Sequence, residues 1–191
     1  MADWLVVMAL ELEAQGRFAA AGVDVLFTGL GKVNAAHRLT RRLVELRARG
    51  QTPGVVNFGT AGSRVHRTGS IVQCRRFIQR DMDVTGLGFA LGETPFEAVP
   101  RELTFDPVFS DLPDALCATA DRFETLDHAA DLEVIDMEAY ALAKVCWLEG
   151  VTFACAKFIS DGADQHAGTS WEQSLPHASR AFLELYERLP R

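Results

Sequence analysis

The run Trp4-Leu5-Val6-Val7-Met8-Ala9-Leu10 contains no polar side chain. A strand that lays one face on a core alternates apolar and polar residues, whereas a strand that is apolar throughout has to be covered on both faces. Val55-Val56-Asn57-Phe58 and Phe153 to Ile159 are two further runs of this kind, and the spacing predicts shorter strands at Val23–Phe27, Ser70–Cys74 and Leu132–Ile135. Helical patterns alternate with them. A polar helical stretch starts at Glu11, and Val33, Ala36, Leu39, Leu43 and Leu46 recur at three- and four-residue steps until Gly50 and Pro53 end the pattern. A further helix is expected from about Met137 to Leu148 and a last one near the C-terminus, where Ser170-x-x-Gln173 resembles a capping box and Pro176 sits awkwardly. Pro95, Pro100, Pro107 and Pro113 mark the region from Thr94 to Pro113 as loop. Strands covered on both faces and separated by helices define the α/β class. The expectation is a single domain over residues 1–191, with a mixed central sheet flanked by helices.

Charge and cysteine usage narrow the function classes. The formal net charge is −7, the wrong sign for a chain that grips nucleic-acid phosphates through a basic face. Cys74, Cys117, Cys146 and Cys155 form no CxxC pair and no zinc-type cluster with histidine, which reads as reduced core thiols of a cytoplasmic protein and no metal site. The apolar run at the N-terminus is too short for a membrane span and lacks a basic flank, so no membrane association is expected. The five histidines share no motif, and Ser63, Ser160 and Ser170 lack the GxSxG elbow of an esterase.

Polar residues collect where the strands end: Glu13, Thr60, Glu138 and Asp161. In α/β sheets that edge is where ligands bind. Gly29-Leu30-Gly31-Lys32 precedes a helix and could bring backbone N–H groups to a ligand, although it lacks the dinucleotide and P-loop spacings. Gly59-Thr60-Ala61-Gly62 reads as a second small-residue turn. Each is also an ordinary turn when taken alone; two in one small domain suggest a backbone-lined pocket. Asp136-Met137-Glu138-Ala139 puts Glu138 in or near the first turn of a helix, where the dipole favours a carboxylate, and simple helix-start chemistry is the competing reading. Asp161 directly follows a buried strand in Ile159-Ser160-Asp161-Gly162. A buried carboxyl tends to keep its proton and becomes a candidate general acid; a turn aspartate is the alternative.

In this order and separation the segments resemble the methylthioadenosine/S-adenosylhomocysteine nucleosidases of the nucleoside phosphorylase superfamily. The resemblance runs from Ala9-Leu10-Glu11-Leu12-Glu13 through Thr28 to Ala36, Asn57 to Gly62 and Asp83-Val84-Thr85, and ends with Val134 to Ala139 and Phe158 to Gln165. It implies a three-layer sandwich that cleaves the N-glycosidic bond of a purine nucleoside, adenine-bearing by preference, with no cofactor. Glu13 would activate the attacking water and Asp161, helped by Ser160, would protonate the leaving purine. Glu138 would hold the ribose hydroxyls, with Met137 packed on the sugar. Phe123 would stack on the base, the backbone of the next residue would read the purine edge, and Trp171 would stand near the base. Leu30, Ala61 and Gly62 would complete the substrate pocket. Val84 and Leu87 would reach the 5′ pocket of a partner subunit in a homodimer.

The chain departs from the family's pattern in four places. Only 15 residues separate Glu13 from Gly29, so a strand pair is missing there; Lys157 stands for a usual arginine, Leu87 for a usual aromatic, and the stretch from Gly88 to Ala120 is short. Two alternatives remain at this level. A phosphorylase would need an arginine cradle for phosphate; Asn57 and Phe58 stand where one would help, although Arg64 is close in sequence. A non-catalytic nucleoside binder would have no need of Glu13.

Overall fold

In the computed structural model, which describes residues 4–123, 132–162 and 167–190, the first apolar run forms strand β1 (Trp4–Met8). It lies between β2 (Val25–Phe27) and β3 (Gly54–Gly62), parallel to both. Its side chains divide by parity, as the pattern requires. Leu5 and Val7 join a core under α3 (Lys32–Arg47) and α4 (Ala139–Glu149), whereas Val6 and Met8 join one under α5 (Ala167–Glu187) and the short helices α1 (Glu11–Ala14) and α2 (Arg17–Ala20). α3 buries Ala35, Leu39, Leu43 and Leu46, with Ala36 partly buried against them, whereas Val33, expected on this face, is 78% exposed at the first turn. On the opposite face Phe58 stacks on Phe182 of α5 with ring centroids 5.4 Å apart. Burial of each such side chain contributes about 1.5–3 kcal/mol, so a helix layer on either side is what makes an all-apolar strand stable.

The centre of the sheet closes on itself. β3 pairs with β8 (Phe153–Asp161), β8 with β4 (Ile71–Gln79), β4 with β6 (Asp114–Thr119), β6 with β7 (Val134–Asp136), and β7 returns to β3 through Gly62 and Ile135. The β3–β7, β4–β8 and β4–β5 pairs are antiparallel, the last involving β5 (Glu102–Thr104), so the sheet is mixed. β1, β3 and β8 run parallel, which brings their C-terminal ends, and the polar residues there, to one edge.

Several local expectations are corrected. Gly59-Thr60-Ala61-Gly62 is strand, not turn: β3 pairs with β8 through Gly62. Its glycine has another cause, since a methyl group on Gly59 would lie 3.1 Å from Lys157 Nζ and 3.5 Å from Glu13 Oε1. Ser160 and Asp161 likewise belong to β8, and the register slips so that Ala61 faces Ile159 while Gly62 faces Asp161. Such a bulge re-aims side chains at a strand end. Ser170 lies inside α5, so Ser170-x-x-Gln173 is not its cap, and Pro176 is accommodated within the helix. Two strands were not anticipated: β5 lies inside the stretch from Thr94 to Pro113 that was expected to be loop, and β6, Asp-Ala-Leu-Cys-Ala-Thr after a proline, has little β-branched or aromatic content. Among the described residues no helix is long and apolar enough to cross a membrane.

Candidate active site

Glu13 is placed by α1, a single turn of helix. Leu10 precedes α1, and Glu13 Oε2 accepts its backbone N–H at 3.1 Å, half of a capping box. The other oxygen, Oε1, accepts the N–H of Thr60 and the Thr60 hydroxyl, both at 2.8 Å. The Thr60 hydroxyl in turn accepts the indole N–H of Trp171 at 2.8 Å. A carboxylate that is 4% exposed and takes three donors has its position fixed by three separate elements, α1, β3 and, through Trp171, α5.

Glu138 bridges two helix starts. It occupies the N-cap of α4, and its Oε1 accepts the N–H of Gly31 at 2.8 Å, at the head of α3. Gly31 has φ +90°, a conformation that favours glycine, and a methyl group there would also press on Asp121 Oδ1 at 3.0 Å. The N–H of Lys32 donates to that same Asp121 oxygen at 2.7 Å. The glycine turn therefore spends its N–H groups on the chain's own carboxylates.

Beneath Glu138 lies a buried ion pair. Lys157 Nζ stands 2.9 Å from Asp136 Oδ2, with both side chains almost fully buried. Asp136 also accepts the Thr119 hydroxyl at 2.5 Å and the N–H groups of Ala139 at 2.8 Å and Glu138 at 3.3 Å, so it caps α4 as well. Burial opposes charge on Asp136, but the Lys157 ammonium and these donors outweigh it and hold the carboxyl below its ordinary range. For Lys157 burial acts downward, and Asp136 holds the ammonium well above its ordinary value. Glu138 goes the other way. Burial, then the charge of Asp136, with Glu13 adding to them, push its carboxyl up to about 8 against the opposing pull of Lys157 and the Gly31 N–H.

Asp161 is 5% exposed. Ser160 Oγ lies 2.7 Å from its Oδ2 and 3.3 Å from the Ala61 carbonyl oxygen. These groups line one cavity of about 380 Å³, the size of a small-molecule site. Its wall carries Glu13, Leu30, Ala61, Gly62 and Phe123, then Met137, Glu138, Ser160, Asp161 and Trp171. The described residues expected to touch substrate from their own chain thus line one cavity. Leu30 and Phe123 are half-exposed at the open side. Val84 and Leu87 lie elsewhere, at a 3₁₀ turn that leaves Leu87 74% exposed, and neither lines this cavity. The residue after Phe123, and the end of the Phe158 to Gln165 segment, fall outside the described residues.

The cavity also holds residues to which the sequence reading gave no role: Ala9, Leu10, Arg80, Arg122, Ile135 and Asp136. Arg80 directly follows β4 and donates to the carbonyl of Arg122 at 3.3 Å. Only the topology could reveal the arginines, because β4 and β6 are adjacent through pairing and not through sequence. Asp136 was visible in the Asp-Met-Glu-Ala segment, but nothing in that motif tells a capping carboxylate from a reacting one. Arg64 is exposed and does not line the cavity, and Asn57 donates to the carbonyls of Val7 at 3.0 Å and Phe58 at 3.3 Å inside the core. Among the described residues no three His, Cys, Asp or Glu side chains come together in a way that could hold a metal ion.

Residues 14–189 match the model of the phosphorylase superfamily. A 5′-methylthioadenosine/S-adenosylhomocysteine nucleosidase of Actinobacillus succinogenes is 32% identical, covering 90% of this chain and 81% of that protein. A nucleosidase of the same name from Exiguobacterium is 30% identical over 86% of this chain and 78% of that one. Among solved structures, the Helicobacter pylori nucleosidase of that name, complexed with a substituted pyrrolidin-3-ol, superposes with a TM-score of 0.83 at 20% identity, covering 98% of this chain and 99% of the other. The futalosine hydrolase of Helicobacter pylori superposes with the same TM-score and identity over 98% of both chains. At that identity the two structures speak to the fold alone; the sequence relatives speak to descent. With the superfamily match spanning nearly the whole chain, they show that this protein belongs to the 5′-methylthioadenosine/S-adenosylhomocysteine nucleosidase family.

Proposed function

We propose that this chain is a purine nucleosidase that hydrolyses the N-glycosidic bond of an adenine nucleoside, with the 5′-thio-substituted adenosines named for its relatives as the first candidates. The observation that carries the reading is the convergence of Glu13, Glu138 and Asp161 on one cavity. Breaking the bond leaves positive charge on the sugar and negative charge on the purine. Asp161 gives a proton to N7 as the C1′–N9 electron pair moves onto the base. Ser160 has one hydroxyl hydrogen; donated to the Ala61 carbonyl, it leaves a lone pair for the Asp161 O–H. Glu138 accepts from the ribose hydroxyls and offsets the cationic sugar, with Met137 against the ring. Glu13 takes a proton from the attacking water, whose oxygen bonds to C1′. Phe123 and Trp171 flank the base, and Leu30, Ala61 and Gly62 shape the wall.

Water is favoured over phosphate on charge. The Glu13 carboxylate would repel a dianion, the nearby Lys157 is committed to Asp136, and Asn57 is spent on backbone carbonyls in the core; Arg80 and Arg122 also line the cavity, with Arg80 donating to the Arg122 carbonyl. A panel of purine nucleosides varied at the base and the 5′ position, including futalosine and read by release of free base, tests the assignment; no release from any adenine nucleoside would reject it. We also propose a cytoplasmic homodimer in which Val84 and Leu87 close a partner's 5′ pocket. The exposed Leu87, Leu91 and Phe96 support it, and an active monomer in light scattering at assay concentration would exclude it.

A further inference from the structure

Around the proposed sugar site the acidic groups outnumber the cations. Glu138 faces Asp136 from β7, Lys157 from β8, Glu13 from α1 and the Gly31 N–H from the head of α3. At that same head Asp121 is matched by Lys32, 4.0 Å away, which also binds Asp81 at 2.5 Å. Asp161 stands on the same cavity wall. Arg80 and Arg122 line this cavity too; the cation that acts on Glu138 is Lys157, and its 2.9 Å contact is with Asp136, the carboxylate that does not reach for substrate. Asp136 keeps it there because it is doubly anchored, by the Thr119 hydroxyl on one oxygen and the first N–H groups of α4 on the other. Thr119 is itself held, since its hydroxyl accepts the N–H of Tyr140 at 2.9 Å.

We propose that Asp136 is a positioning residue: by holding Lys157 away from Glu138, it leaves the sugar-binding carboxyl without a cation of its own and makes nucleoside binding conditional on loss of a proton from Glu138. This rests on the proposed role of Glu138 at the ribose hydroxyls. A neutral Glu138 presents one O–H and one carbonyl oxygen, so it can accept from only part of the sugar diol and adds no negative charge beside a cationic C1′. The ionised form accepts from both hydroxyls. Docking a nucleoside therefore expels the proton to solvent, and the free enzyme is held partly uncharged in the neutral range, consistent with the upward shift at Glu138. In the Asp136→Asn variant the like charge is gone and Lys157 is released toward Glu138, so both changes favour the ionised form.

The test is the pH profile of kcat/KM, whose acid limb reports the free enzyme. The wild type should lose activity about tenfold per pH unit below the limb. Asp136→Asn should move the limb down by more than one unit, so that at pH 6 it keeps about tenfold more of its own plateau than the wild type does. Asp136→Glu, which retains the charge, should keep the limb near the wild-type position even if the plateau falls. Lower activity at every pH with an unmoved limb would reduce Asp136 to a structural cap and overturn the proposal. A second readout needs no variant. Titration calorimetry of a non-hydrolysable adenine nucleoside analogue, in buffers of different ionisation enthalpy, should show proton release near pH 6.5 that vanishes by pH 9. Binding with no proton release at either pH also overturns the proposal, while no binding at any pH counts against the sugar-site reading itself.

Discussion

Replacing Thr60 with valine removes one hydroxyl and nearly nothing else, yet that hydroxyl joins α5 to the proposed base. It donates to Glu13 Oε1 and accepts from Trp171 Nε1, each at 2.8 Å. A hydrogen bond to a charged group contributes about 1.5–3 kcal/mol, and Trp171, being partly exposed, can recover a water in place of the lost acceptor. Glu13 keeps the N–H groups of Thr60 and Leu10. The net loss of stability should be about 1–2 kcal/mol, or a fall in Tm of about 3–6 °C for a chain of this length. The catalytic effect should be larger. A general base contributes about 10²–10⁴-fold, and one held by two donors in place of three keeps part of that, so kcat should fall about 10- to 100-fold with KM changed less than about threefold. Continuous absorbance of adenine release and calorimetry of the same preparation measure both. If kcat is unchanged while Tm falls as expected, Glu13 is not the group whose placement limits the reaction, and the water-activating role must move elsewhere.

Two further predictions separate the carboxylates. Asp161→Asn should remove most turnover of adenine nucleosides, about 10²–10⁴-fold, yet partly spare a nitrophenyl riboside that leaves without a proton, whereas Glu13→Gln should slow both; equal loss on both substrates in Asp161→Asn, with circular dichroism unchanged, would dismiss Asp161 as the acid. Glu138→Gln should be inactive but more stable than the wild type. A carboxyl raised from 4.5 to about 8 favours its protonated form in the fold, so its ionisation costs stability progressively above pH 4.5 and fully above pH 8. The amide carries no such cost, so the variant should gain up to about 5 kcal/mol at pH 8.5 and nothing at pH 4 in chemical denaturation; a gain independent of pH would contradict the charge argument.

How much of this was legible in the sequence depended on whether a residue's neighbours lie near it in the chain. The parity of β1 and the α3 stripe could be read directly, because burial on two faces or one writes itself into the period of the pattern. Glu13, Glu138 and Asp161 were legible because each sits in a short segment at a strand end. The turn assigned to Gly59–Gly62 failed for an instructive reason: glycine marks close approach as well as turning, and the approaching group, Lys157, is distant in sequence. Arg80 and Arg122 were hidden by the same non-locality, and the double duty of Asp136 as helix cap and ion-pair partner needed the pairing of β7 with β6 and the nearness of β8.

At Glu13 the proposed acceptor of the sugar is water and not phosphate. Incubating the enzyme with 5′-methylthioadenosine in phosphate-free buffer and again with added phosphate, and identifying the sugar product, decides between them. The expected result is adenine with free methylthioribose at equal rates in both. Adenine release only with phosphate, and a ribose 1-phosphate as the sugar product, would contradict water as the acceptor.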